Sequence, residues 1–233
     1  MAKKQSKFLL WQKVVVGVVA VLGLGLIGFL YTLVLTESPG GEFVEGTHYF
    51  ALEEPRRVRG DDVEVMEFFS YACIHCYNFD APLEAWAESR EDRIDFKRTP
   101  AVASAFWRLL GGVYYTLEEM DLLEEHHTAV FQALHDRGER LTSIDQIVDY
   151  MADRGIDGDE FRRVFLSSEV QNKLSQADLL ARRMRVASVP SIIVDGRWLV
   201  RTTASVGPAR MLDVMDHLVE KASAPADSAS PSD

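Results

Sequence analysis

Cys73 and Cys76 are the two cysteines of the 233-residue chain, and Ile74 and His75 separate them. A pair at this spacing can close a redox-active disulfide or supply half of a zinc site. The run VEVMEFF (63–69) mixes β-branched and aromatic residues and predicts a buried strand. Helical spacing starts near Ile74 and carries Tyr77, Phe79, Leu83 and Trp86, with Pro82 removing a backbone bond to Asn78 and predicting a kink. Cys73 is thereby placed at a helix N-terminus, where unpaired N–H groups and the positive end of the helix dipole favour a thiolate. Cys76, one turn further in on the same face, is near enough for an S–S bond of ~2.05 Å and is more shielded, as suits a resolving thiol. His75 lowers the Cys73 pKa further if its ring is charged or donates to the sulfur. Stabilising the thiolate favours the reduced pair, which makes the disulfide the stronger oxidant.

The elements around this pair must position it. RIDFKRT (93–99) reads as a second strand, completing a strand–helix–strand unit with a right-handed crossover. From 102 to 186 apolar residues recur only at helical spacing, around Phe106–Val113, Leu123–Leu134, Ile144–Met151 and Phe161–Phe165, and Asp157 or Asp159 is available as an N-cap. PSIIVDGRWLV (190–200) returns to sheet, its Asp195-Gly196 pair signalling a hairpin, and GPARMLDVMDHLVEKA (207–222) predicts an amphipathic helix with Pro208 near its first turn. An α/β fold, a thioredoxin-like sheet interrupted by an all-helical insertion, accounts for this order: 47–101 as its first part, 102–186 as the insertion and 187–221 as its second part.

With 47% apolar and 26% charged residues the composition is that of a globular chain, and two neighbouring cysteines supply no disulfide framework. Residues 14–35 form 22 uncharged, mostly apolar positions, roughly 33 Å as a helix at ~1.5 Å per residue, enough for one transmembrane helix. A cleaved signal peptide ending near Ser38 is the alternative. Lys3, Lys4, Lys7 and Lys13 precede the span, which predicts a cytoplasmic N-terminus at 1–13 and an outward-facing remainder. That remainder holds 21 of the 25 basic residues against all 36 acidic ones, a formal charge of −15, which argues against nucleic acid and anionic lipid surfaces as its partners. Residues 36–46 read as a linker, and 222–233, small and polar, as a disordered tail.

Two segments, EFFSYACIHCYNFD (67–80) and ASVPSIIVDGRW (187–198), resemble the active-site and cis-proline segments of the DsbA family of disulfide oxidoreductases, and the resemblance extends over about 47 to 221. It implies a thiol:disulfide oxidoreductase that donates its disulfide to cysteine pairs of exported proteins, without metal or organic cofactor, and is reoxidised by a quinone-linked membrane partner of the DsbB type. On this resemblance Cys73 is the nucleophile, Cys76 the buried second cysteine and His75 the thiolate-stabilising histidine. Pro190 is the cis-proline, preceded by Val189, whose backbone would pair with an extended substrate beside Cys73. Glu67 matches an acidic residue beneath the active site that relays protons to Cys76, Asp80 matches a second acid, and Lys97 or Arg98 falls near a basic partner. Asp80 also reads simply as a solvated helix residue. Ile74 departs from the Pro-His dipeptide of the best-known members, and the anchor departs from the soluble ones. The enzyme implied is a monomer on the periplasmic side of a bacterial inner membrane.

Three other readings compete. Cys73 and Cys76 with the tandem His126-His127 are four zinc ligands by type, although adjacent helical histidines point about 100° apart; the plainer reading leaves His126, His127, His135 and His217 on helix surfaces. A membrane-anchored reductase of the cytochrome-maturation type shares the span but lacks the insertion. A tethered chaperone would use Phe106, Trp107, Tyr114 and Tyr115 as an apolar groove, although an aromatic stripe at helical spacing is more often core.

Overall fold

The computed structural model describes residues 43–60 and 62–224. In chain order the elements are β1 (Phe50–Ala51), β2 (Val63–Phe69), α1 (Ile74–Glu88), β3 (Ile94–Pro100), α2 (Ala105–Glu119), α3 (Leu123–His135), α4 (Ile144–Ala152), α5 (Gly158–Phe165), α6 (Ser168–Arg183), β4 (Ser191–Val194), β5 (Trp198–Arg201) and α7 (Pro208–Ser223). The strands form one sheet in the order β1-β5-β4-β2-β3. Only β2 and β3 are parallel, as the helical crossover α1 between them requires.

Strand β2 lies between β3 and β4 and is buried along its whole length, because helices cover both faces of the sheet. Val63 and Val65 pack with Phe79, Leu83 and Trp86 of α1 and with Met211, Val214 and Leu218 of α7. Met66 and Phe68, pointing the other way, meet Leu180 and Met184 of α6. A strand covered on both sides has no solvated face to show, which is why VEVMEFF lacks a polar–apolar alternation and buries even Glu64 and Glu67, each against a basic partner. Phe69, at its end, turns into a third cluster with Tyr71, Cys76 and helices α2 to α6. The redox pair is thus the seam between sheet and helical block.

Local chemistry starts the helices where it should. Ser104, Ser143 and Ser167 each accept from the backbone N–H three residues on, and Asp157 accepts from both Asp159 and Glu160. Helix α1 runs through Pro82 to Glu88 as a single element. Asp195 and Gly196 both take positive φ, 52° and 59°, as a type I′ turn requires, and Arg197 N–H closes the turn on the Val194 carbonyl at 3.0 Å. The Arg56 carbonyl lies where a side chain on Gly196 would begin, so the arm Leu52–Arg56 crosses directly over this turn.

Three departures from the sequence expectations concern the ends. Strand β1, two residues paired with Trp198 and Leu199 at the sheet edge, is too short to leave a periodic signal. Residues 43–46, read as part of a linker, instead make a turn closed by His48 N–H on the Val44 carbonyl, and the Phe43 ring lies 5.3 Å from that of His217 on α7. The last helix continues to Ser223, two residues into the segment read as tail. Among the described residues no helix is long and apolar enough to cross a membrane. The span at 14–35, its flanks at 1–13 and 36–42, and the tail beyond 224 lie outside the described residues.

Candidate active site

Strand β2 ends in a tight turn that delivers Cys73 to the start of α1. The Ser70 carbonyl accepts from Cys73 N–H at 2.9 Å, and its hydroxyl accepts from Ala72 N–H at 3.2 Å. Cys73 is the N-cap residue of α1, with extended backbone angles and no side-chain cap of its own. Its sulfur therefore sits over the unpaired N–H groups of the first turn. Both cysteines are present as free thiols, Cys73 half-buried and Cys76 fully buried.

The two thiols are driven in opposite directions. Hydrogen bonding from the Cys76 thiol, and then from the N–H groups of Cys76 and His75, outweighs the burial of Cys73 and lowers it to about 6. The charge of the His75 ring is the smallest of these influences, and the ring itself is exposed. Burial pushes the Cys76 thiol far above its ordinary value, and the hydrogen bond to Cys73 and the Glu67 carboxylate add to this. One sulfur is a thiolate at neutral pH and the other is held as S–H.

The loop between α6 and β4 brings the second half of the chain to this point. The Val189–Pro190 peptide is cis, and the Val189 carbonyl oxygen lies 3.6 Å from Cys73 Sγ across 116 positions of sequence. Beside it lies a cleft of about 320 Å³ lined by Val102, Trp107, Ala181, Val186 and Val189. Ile74 and Phe106 are exposed, 46% and 37%, so they add apolar surface outside the cores. Tyr114 and Tyr115 are buried and belong to the core of the helical block, not to a groove.

Beneath the cysteines the buried acid Glu67 lies directly opposite Arg98 in the parallel pairing of β2 and β3. Arg98 divides its guanidinium among Glu67 at 3.2 Å, Asp80 at 3.3 Å and Glu84 at 2.5 Å. Burial raises the Glu67 carboxyl to about 7 although Arg98 pulls against it. Lys97, the neighbouring basic residue, pairs instead with Asp95 and Glu64. Of the two basic residues, then, Arg98 is the one beneath the site.

Asp80 and His127 correct the sequence reading. Asp80 is not a solvated helix residue: it is buried, with Oδ1 3.0 Å from His127 Nε2 and Oδ2 accepting from the Thr128 hydroxyl at 3.3 Å. Burial alone would raise its pKa, but these donors and Arg98 hold it below its ordinary value. His126 and His127, read as surface residues, are both buried. His127 Nδ1 meets the Tyr71 hydroxyl at 2.8 Å, so both ring nitrogens are engaged and none is left for a metal shared with the cysteines. His135 also reaches inward, its Nε2 2.8 Å from the Tyr71 carbonyl. Two signals pointed this way. Cys73, Cys76 and Asp80 fall at i, i+3 and i+7 on α1, and His127 shares the apolar stripe of Leu123, Val130, Phe131 and Leu134.

Comparison with known proteins agrees with this geometry. A family model described as a DSBA-like thioredoxin domain matches residues 64–219. The thiol:disulfide interchange protein DsbA of Pseudomonas syringae pv. tomato is 33% identical over 190 residues, 82% of this chain and 86% of that protein. Its namesake in Azotobacter vinelandii is 31% identical over 182 residues, 78% of this chain and 83% of that one. Among solved structures, Pseudomonas aeruginosa DsbA superposes with a TM-score of 0.73 at 30% identity, covering 77% of this chain and 94% of that one. The oxidoreductase DsbA of Xylella fastidiosa superposes with a TM-score of 0.72 at 27% identity, covering 78% and 97%. A sheet carrying an acidic N-cap cysteine beside a cis-proline loop, interrupted by a helical block, together with a family match over two-thirds of its length, means that this chain belongs to the DsbA-like thioredoxin domain family.

Proposed function

We infer that the chain is a thiol:disulfide oxidoreductase that donates the Cys73–Cys76 disulfide to cysteine pairs of exported proteins. The observation that carries this reading is the opposition of the two thiols, Cys73 lowered to about 6 at the helix start and Cys76 pushed far up in the core. A pair so divided is stabilised in its reduced form, so its disulfide is readily given away.

In the reaction a substrate thiolate attacks Cys73 Sγ, the more accessible sulfur. The Cys73–Cys76 bond breaks and its electron pair goes to Cys76 Sγ, which must take up a proton because its thiolate is strongly disfavoured there. Glu67, with a carboxyl near 7 and close enough for its charge to be felt at Cys76, is the proton donor. The second substrate thiolate then attacks the substrate sulfur of the mixed disulfide, and Cys73 departs as a stabilised thiolate. Two electrons have passed from substrate to enzyme, the proton that Glu67 gave rests on Cys76, and of the two protons released by the substrate thiols one re-protonates Glu67 and the other goes to solvent. The Val189 backbone offers a hydrogen-bonding edge for the substrate strand, and Val102, Trp107 and Val186 form an apolar bed beside it. Glu67, Cys73, His75, Cys76, Val189 and Pro190 form the working site.

The same reading extends to the chain's surroundings. The uncharged run at 14–35 after four lysines supports a single-pass anchor in a bacterial inner membrane, with the catalytic part in the periplasm. Substrates are reduced or unfolded exported proteins, the reoxidant is a quinone-linked membrane partner of the DsbB type, and the enzyme works as a monomer.

The thiolate titration tests the chemistry. The absorbance of the reduced protein should show Cys73 ionising with a midpoint of about 6. His75→Ala should raise that midpoint by less than about half a unit, because the main-chain donors and Cys76 carry most of the effect. A wild-type midpoint above 8 would remove the basis for the reading.

A further inference from the structure

His127 sits where the helical block meets the redox centre. Its ring lies among those of Phe69, Tyr114 and Phe131, at centroid separations of 5.4, 5.9 and 5.3 Å. An ionised Asp80 can only accept, so His127 Nε2 carries the proton and donates it at 3.0 Å; Nδ1 is then the acceptor, and the Tyr71 hydroxyl donates to it at 2.8 Å. Burial disfavours the charged ring, in keeping with this neutral tautomer. The charged and titratable groups facing the ring are Asp80 and Glu84 from α1, Arg98 from β3, Tyr71 from the turn and Tyr114 from α2. Glu124, one turn earlier on α3, lines the same cleft of about 660 Å³, through which Asp80, Arg98 and His127 reach the surface.

Arg98 is shared between Asp80 and Glu67, so whatever else satisfies Asp80 decides how much of the guanidinium remains for Glu67. We propose that His127 is a positioning residue of the redox centre: supplied by the inserted helical block, it satisfies Asp80, keeps Arg98 divided between the two buried acids, and so sets the pH at which Glu67 hands its proton to Cys76. This rests on the oxidoreductase reading above.

Two variants must move that pH in opposite directions. In His127→Leu the Asp80 carboxylate loses its donor and draws on Arg98, which leaves Glu67 less stabilised as an anion and protonated to higher pH. In Asp80→Asn the amide oxygen still accepts from His127 but the charge is gone, so Arg98 is left to Glu67 and Glu84 and the Glu67 proton is lost at lower pH. His127→Gln, which offers an N–H to Asp80 and an oxygen to Tyr71, should behave as wild type.

The measurement is the pH profile of the single-turnover oxidation of a reduced two-cysteine peptide by the full-length chain in detergent micelles. The upper limb of the profile, where the general acid loses its proton, is expected to rise by about 0.5 unit or more in His127→Leu and to fall by a similar amount in Asp80→Asn. A folded His127→Leu with the wild-type profile, or shifts of the same sign in both variants, would overturn the proposal. Should His127→Leu fail to fold, a downward shift in Asp80→Asn with an unshifted His127→Gln supports it, and an unshifted Asp80→Asn overturns it. Absence of peptide oxidation by the wild type itself would instead overturn the oxidoreductase reading, and the proposal with it.

Discussion

Replacing Cys73 by serine is expected to abolish oxidation of a reduced two-cysteine substrate, leaving only the rate seen without protein. Serine cannot form the disulfide that is transferred, and Cys76 cannot stand in, being fully buried and strongly disfavoured as a thiolate. The complementary variant, Cys76→Ser, keeps the Cys73 nucleophile but loses the thiol that would expel a bound partner. It should therefore accumulate as a mixed disulfide through Cys73 when mixed with a substrate disulfide, visible as an added mass that reductant removes. The fold should survive both changes, since the structure is that of the dithiol form and rests on three apolar clusters rather than on the S–S bond. Substrate oxidation that persists in Cys73→Ser would mean that the cysteines are incidental and that the chain acts as a binder of unfolded polypeptides.

Arg98→Met is expected to cost about 3–5 kcal/mol of stability, the usual consequence of leaving a buried charge without its partner. Glu67 and Asp80 are both buried, and Arg98 is the cation that reaches both of them. The loss should depend on pH with a definite sign. The folded-state pKa of Glu67, about 7, lies above its ordinary 4.5, so this carboxyl favours the fold while protonated and the contribution is lost as pH rises through 7. Without Arg98 that folded value climbs further, which makes ionisation costlier still. Asp80, held below its ordinary value partly by Arg98, loses stabilisation that it supplies above that ordinary value. The Asp80 loss is already complete at pH 5 while the Glu67 penalty grows as pH rises past 7, so denaturant unfolding should show the variant weaker than wild type at pH 5 and weaker still at pH 8. A loss below 1 kcal/mol, or one equal at both pH values, would contradict the pairing described here.

Much of the framework was legible before any coordinates. VEVMEFF, the start of a helix at Ile74 and the Asp195-Gly196 turn are local statements, decided by side-chain branching and positive-φ tolerance, and they stand at those residues in the structure. The cysteine pair was legible because its spacing is local, whereas the cis bond at Val189–Pro190 was implied by the family resemblance alone. Asp80 and His127 were not legible as a pair. The i, i+3, i+7 spacing and the apolar stripe hint that both side chains turn inward, but neither names a partner unless one knows that α1 and α3 face each other, and the two residues meet across 47 positions of sequence. Arg98 belongs to the same class, because only strand register puts it rather than Lys97 opposite Glu67 on the inner face. Strand β1 escaped for a simpler reason: two residues have no period, and their pairing with β5 is what makes them a strand.

Ile74 leaves the direction of electron flow as the point on which everything turns, since this first of the two residues between the cysteines is exposed at 46% beside the nucleophile and stands where the Pro-His pattern has proline. The equilibrium reduction potential of the Cys73–Cys76 couple, measured against glutathione, tests it directly. Membership of the DsbA-like family, with a Cys73 thiol lowered to about 6 opposite a thiol that resists ionisation, predicts an oxidising couple, near or above the ~−120 mV of the family's oxidant. A value near ~−270 mV, that of a thioredoxin, would contradict the account and make the protein a reductase.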